Sequence, residues 1–296
     1  MRPPTASLVM FLALACIVAP RATWAQDEFR SSHFTTSDGV QLHYLEAGSG
    51  PTLVFVPGWT MPAEIWEPQL RHFASTHRVV ALDPRGHGRS EKPTYGYHPQ
   101  RRSQDIGELL EHLGGEPAVV AGWSLGVPEA VVYAQEFGAD LIRAFVLVDW
   151  DIAGSDPVDE EGLAFIRSRV ERVLLDRPEF TRAFIASLYA TLQPQAYLDR
   201  ITEAALAMPD NAAALVTANV ALFGPLDLRP ALQAVDRPLL FVFSSLDWAL
   251  VAAEKARRYR PNDRVEVIDG TSHALFVDKP EQFNRLLEEW LASLPE

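Results

Sequence analysis

The sequence predicts an α/β fold: an eight-stranded, mostly parallel sheet with helices on both faces and a helical cap inserted late in the chain. Three observations predict it. From residue 33 onward, short runs rich in Val, Leu and Phe alternate with amphipathic segments, the pattern of a sheet buried on both sides. Asp38-Gly39 joins the first two runs as a tight hairpin, which makes that pair antiparallel. Between Asp151 and about Pro230 no run reads as a strand at all.

The hairpin strands fall at residues 32–37 and 40–45, and buried-type strands follow at 52–56, 78–83, 118–122, 144–149, 238–244 and 264–268. Helical periodicity fills the intervals at 63–73, 103–113, 125–137, 250–259 and 281–294. A structureless loop of the length left between 151 and 230 would be unusual, and 162–175, 179–192 and 196–207 have helical patterning. The chain therefore divides into a leader (1–25), a first part of the core (26–150), a helical cap (151–230) and a second part of the core (231–296). A cap entering after a strand's C-terminal end sits over the edge where open α/β sheets place ligands.

Residues 1–25 have the pattern of a cleaved export signal: Arg2, an apolar run over 8–19, then Ala25 before Gln26. The alternatives are an uncleaved anchor and lipidation at Cys16, which is the chain's single cysteine. A periplasmic or secreted protein is expected, with no disulfide and no Cys-based zinc site. The net charge of -13, from 26 Lys+Arg and 39 Asp+Glu, argues against nucleic acid or an anionic membrane surface as partner.

Gly122-Trp123-Ser124-Leu125-Gly126 matches G-x-S-x-G, a sharp strand-to-helix turn that exposes a serine hydroxyl. The pentapeptide alone is a weak signal, but a buried-type strand leads into it and a helix leads out. A serine becomes nucleophilic only if a base takes its proton, and that base needs a carboxylate to orient it. Asp247 and His273 fulfil the order Ser, acid, His, each following a strand. Asp149 and Asp151 are rival acid positions. The bland alternatives are a turn carboxylate for Asp247 and a solvent-exposed loop histidine for His273. Backbone N–H groups of Leu125 and Trp59 are the candidate oxyanion hole; for Trp59 the competing role is an aromatic core plug.

With these residues in place the chain resembles the α/β-hydrolase superfamily, in particular its capped esterase, perhydrolase and lactonase-like branches, over residues 33–294. Besides the triad, the resemblance rests on Thr35-Thr36-Ser37-Asp38-Gly39, on Asp83-Pro84-Arg85-Gly86-His87-Gly88-Arg89-Ser90 and on Asp227-Leu228-Arg229-Pro230-Ala231-Leu232 leading into Arg237-Pro238. It implies that the Asp83–Ser90 stretch is a structural turn and His87 a structural residue. The chain departs from the family pattern at Pro57, in place of His in the oxyanion loop, and at Trp123, where His often precedes the nucleophile. A serine at the elbow also argues against the dehalogenase and epoxide hydrolase branches, whose nucleophile is aspartate.

The expected activity is hydrolysis of a hydrophobic carboxylic ester or lactone, by a monomer or homodimer, with no cofactor and no metal. Trp123, Trp150 and Trp248 fall at or just after strand ends and are the candidate substrate-binding residues, with ordinary core packing as the competing role. A perhydrolase or C–C bond hydrolase with the same triad is the alternative enzyme. A ligand-binding relative without turnover is the alternative outside catalysis.

Overall fold

The computed structural model describes residues 29–153, 160–223 and 227–295. The leader expected at residues 1–25 lies outside them. Among the described residues, no helix is long and apolar enough to cross a membrane.

Eight strands form one sheet: β1 (Arg30–Thr35), β2 (Gln41–Ala47), β3 (Thr52–Val56), β4 (Arg78–Leu82), β5 (Ala118–Trp123), β6 (Ile142–Val148), β7 (Leu239–Ser244) and β8 (Arg264–Ile268). Their spatial order is β1-β2-β4-β3-β5-β6-β7-β8. β2 runs antiparallel to both of its neighbours, and every pairing from β4 through β3 to β8 is parallel. This is the expected fold class, with the early hairpin at the edge.

Both faces of the inner sheet are buried, which explains why β3 to β7 are largely apolar instead of alternating. Leu53 and Phe55 of β3 point into one core with Trp66, Phe73, Phe276, Phe283 and Trp290, from the side that carries α1 (Glu67–Phe73), α10 (Leu275–Asp278) and α11 (Pro280–Ser293). Val54 and Val56 point the other way. There they meet α2 (Pro99–His112), α3 (Gly126–Phe137), α8 (Arg229–Ala234) and α9 (Asp247–Tyr259).

Between β6 and β7 the chain forms α4 (Glu160–Leu175), α5 (Arg177–Ser187), α6 (Gln195–Leu206) and α7 (Asp210–Phe223) before α8. The ends of this insertion meet: Ala153 and Asp227 form an isolated antiparallel bridge, and the N–H of Leu228 donates to the carbonyl of Ile152 at 2.9 Å. Within this insertion, two helices differ most from what the sequence predicts. Helix α7 escapes periodicity because its sequence, Asp210–Phe223, is nearly uniformly small and apolar, with no polar face to mark a stripe. Helix α5 stops at Ser187, short of residue 192, because the backbone beyond it bonds elsewhere: Ala190 and Thr191 N–H groups donate to Asp278, and Leu188 accepts from Ala274 N–H.

Candidate active site

β5 delivers Ser124 to the sheet's C-terminal edge in a backbone conformation that few side chains adopt. Its φ is +53°, a left-handed value that costs roughly 1–3 kcal/mol and persists only where the surroundings enforce it. The flanking glycines supply the space. A Cβ at Gly122 would lie 2.4 Å from the Gly126 carbonyl oxygen, and one at Gly126 would lie 2.4 Å from that of Val56. Of the residues from Ala118 to Ala134, Ser124 alone is not buried. A Cβ at Gly58 would come within 2.8 Å of Ser124 Cβ, so the loop after β3 passes directly against the serine.

The carboxylate that meets the histidine is Asp149, at the end of β6, and not Asp247. Asp149 Oδ2 lies 2.7 Å from His273 Nδ1. The carboxylate is fully buried, and Ser244 at the end of β7 holds it with its N–H at 2.7 Å and its hydroxyl at 3.1 Å. With Nδ1–H donating to Asp149, the second ring nitrogen of His273 is left as an acceptor, the tautomer a general base requires. Asp149 also has a φ of +53°. Asp247, by contrast, is exposed and opens α9, three residues before the helix expected from the sequence, where its negative charge suits the helix's first turn. Asp151, the other rival, is occupied by Lys255 at 2.6 Å and by the N–H of Ala153.

The two candidate oxyanion donors flank the serine: Leu125 follows it, and Trp59 follows Gly58, which packs against it. Among the described residues nothing accepts from the backbone N–H of Trp59 or Leu125, and the side chains of both belong to one cluster with the cap residues Val173, Phe180, Met208 and Ala213. The next residue, Thr60, has a φ of +59°, and its N–H donates to His87 Nε2 at 2.9 Å. His87 Nδ1 in turn donates to the carbonyl of Arg85. Burial first, then the charge of Arg102, push the His87 pKa down to about 3, so the ring is a neutral strut under the oxyanion loop.

The tryptophans divide into different roles. Trp123 is 1% exposed, and its indole N–H donates to the backbone carbonyl of His273 at 2.8 Å. It forms the floor of the histidine loop and is buried there, which does not fit the expected binding role. Trp150 packs against the core on the α3 side, its indole nitrogen buried without a partner among the described residues, so it too is set away from the cap cluster. Trp248 is 44% exposed and stands edge-on to the His273 ring at 5.8 Å. Of the three, it alone is placed to touch a ligand at the histidine.

The cap is tied to the loops that carry Trp59 and His273. The Trp59 indole N–H donates to the Ala213 carbonyl on α7 at 3.0 Å. On either side of His273, the Ser272 hydroxyl donates to Ser187 and the Ala274 N–H to Leu188. Asp278 completes the clamp by accepting from the N–H groups of Ser272, Ala190 and Thr191. These cap partners are mostly backbone atoms, which leave no mark on side-chain identity and cannot be found from sequence. Ser244 and Asp278 escape sequence reasoning for a related cause, since neither stands out from other strand-end or helix-end polar residues.

The family model described as the alpha/beta hydrolase family matches residues 53–286. A 2-(acetamidomethylene)succinate hydrolase of Mesorhizobium japonicum is 30% identical over 251 residues, 82% of this chain and 88% of that protein. The non-heme chloroperoxidase CPO-A1 of Kitasatospora aureofaciens is 27% identical, over 87% of this chain and 98% of its own. An esterase from Exiguobacterium antarcticum has the same fold, with a TM-score of 0.80 over 89% of this chain and all of that one at 21% identity. The sheet order, the strained serine at the end of β5 and these likenesses agree: the chain belongs to the alpha/beta hydrolase family.

Proposed function

We propose that this hydrolase cleaves carboxylic esters through an acyl-enzyme formed on Ser124. The observation that carries the reading is the buried Asp149–His273 hydrogen bond, on the strand edge that presents Ser124 at a strained, partly exposed turn. His273 takes the hydroxyl proton as Ser124 Oγ attacks the ester carbonyl. The backbone N–H groups of Trp59 and Leu125 accommodate the negative oxygen of the tetrahedral intermediate. His273 then gives the proton to the departing alkoxide, which leaves as the alcohol. Water, activated by the same ring, releases the acid and restores the serine. Asp149 keeps the imidazole in its working tautomer and stabilises its cation.

The apolar side chains that the cap packs against Trp59 and Leu125 support an ester with an apolar portion. The test is hydrolysis of phenyl esters of graded acyl length together with labelling by a fluorophosphonate. Labelling at a residue other than Ser124, or no hydrolysis of any ester, sinks the proposal. The likeness to a chloroperoxidase over 98% of that protein's length favours one second reading, in which hydrogen peroxide replaces water in resolving the acyl-enzyme and yields a peracid. Peracid formation on adding peroxide to the esterase assay distinguishes the two.

A further inference from the structure

The cap places a guanidinium over the oxyanion loop with nothing to neutralise it among the described residues. Arg169 of α4 has its guanidinium carbon 5.0 Å from the centre of the Trp59 ring, 5.1 Å from Phe184, 5.4 Å from Phe180 and 5.7 Å from Phe165. Rings can attract the faces of a guanidinium, but they offer no acceptor for the five N–H donors that radiate in its plane. Among the described residues, no carboxylate, carbonyl or hydroxyl accepts from it. One turn along, Arg172 stacks on Phe180 at 4.7 Å, and it too has no acidic partner among the described residues. Burial, then the like charge of Arg172, push the Arg169 pKa down to about 10, although the side chain stays partly exposed.

In a chain of net charge -13, carboxylates to pair with are abundant. Arginines here that are more deeply buried have them: Arg85 is bound by Asp105 and Asp38, and Arg102 by Glu129. We propose that Arg169 is a subsite for a carboxylate carried by the substrate, on the portion remote from the scissile carbonyl. Trp59 fixes the location, because its ring lies under Arg169 while its backbone lies beside Gly58, which touches Ser124. A single planar cation among apolar rings suits a monoanionic carboxylate, which it can grip with two parallel N–H bonds. The substrate class is then a half-ester of a dicarboxylic acid with a short apolar spacer.

The inference rests on the acyl-transfer reading, and the experiment separates the two. Monophenyl glutarate and phenyl pentanoate share an acyl length and differ in the terminal carboxylate. The wild type should favour the glutarate in kcat/KM, chiefly through KM, and added salt should erode that preference. Arg169→Met should lose about tenfold or more of the preference, and Arg169→Lys should keep part of it. Calorimetric titration of glutarate into wild type and into Arg169→Met decides the anion site even if no ester is cleaved, with inorganic phosphate as the second arm. Equal wild-type rates on the two esters with no glutarate binding would overturn the proposal. So would phosphate bound more tightly than glutarate, or equal losses on both esters in Arg169→Met with a lowered Tm. If Arg169→Met is not recovered folded, wild-type discrimination between the esters and titration of Arg169→Lys support or overturn the subsite in the same way.

Discussion

His273 Nδ1 and Asp149 Oδ2 are 2.7 Å apart, and the same carboxylate accepts both donors of Ser244, the N–H at Oδ1 and the hydroxyl at Oδ2. Every neighbour of Asp149 in this set is therefore a donor. An asparagine there must turn its NH2 group toward the Ser244 N–H or toward Nδ1, and either choice sets donor against donor. Asp149→Asn should accordingly lower kcat by roughly 10³–10⁴-fold on a good ester. Asp247→Asn, at an exposed helix start, should stay within about twofold of wild type, since it alters only a first-turn charge. The opposite ranking in steady-state assays would return the acid to the β7 loop.

Ser124, the proposed nucleophile, also has a strained backbone. Ser124→Gly should abolish turnover and fluorophosphonate labelling, yet raise stability by about 1 kcal/mol, because glycine adopts φ near +53° without steric penalty. Ser124→Ala removes the hydroxyl but keeps the Cβ, so it should lose activity without that gain. Urea unfolding of the two variants side by side is the measurement.

His87 ties stability to pH. Its folded pKa of about 3 lies below the ordinary value of 6.5, so on acidification the unfolded chain takes up a proton that the native ring refuses. This contribution is fully present above about pH 6.5 and is lost progressively as the pH falls toward 3. His87→Leu should cost about 1–3 kcal/mol at pH 7, through the orphaned Thr60 N–H. Its unfolding free energy should also change less between pH 7 and pH 5 than that of wild type. An unchanged slope would mean that other groups carry the acid sensitivity.

The two tryptophans around His273 should separate cleanly. Trp123→Phe keeps a ring on the floor but loses the hydrogen bond to the His273 carbonyl, so it should depress kcat/KM for short and long esters alike. Trp248→Ala exposes more of the ring edge and should act mainly on bulky esters, by about tenfold, with acetate esters little affected. Matched kcat/KM series over acyl length would show the difference.

The fold is legible because its main signals are local. Runs of Val, Leu and Phe bounded by turns locate the strands, and Gly122 and Gly126 mark a turn whose tight packing admits no Cβ. The acid is harder because strand-end carboxylates occur after both β6 and β7, and sequence order is equally satisfied by either. The choice depends on how the His273 loop folds back, which Trp123, Ser187 and Leu188 determine from distant parts of the chain. Arg169 is invisible for the same reason: on α4 it has the pattern of any helix-surface arginine until α5 brings Phe180 and Phe184 against it.

The meeting of Ile152 and Ala153 with Asp227 and Leu228 bears on how such a protein can diversify. Because β6 and β7 pair directly, the sheet registers only the two joined stems and is indifferent to the length or sequence of what hangs between them. Segments could be exchanged at these stems without disturbing Ser124, Asp149 or Ser244. Cap positions such as Arg169 and Phe180 can thus drift or be grafted, provided a replacement cap keeps the backbone carbonyls at Ser187, Leu188 and Ala213 that hold the His273 and Trp59 loops.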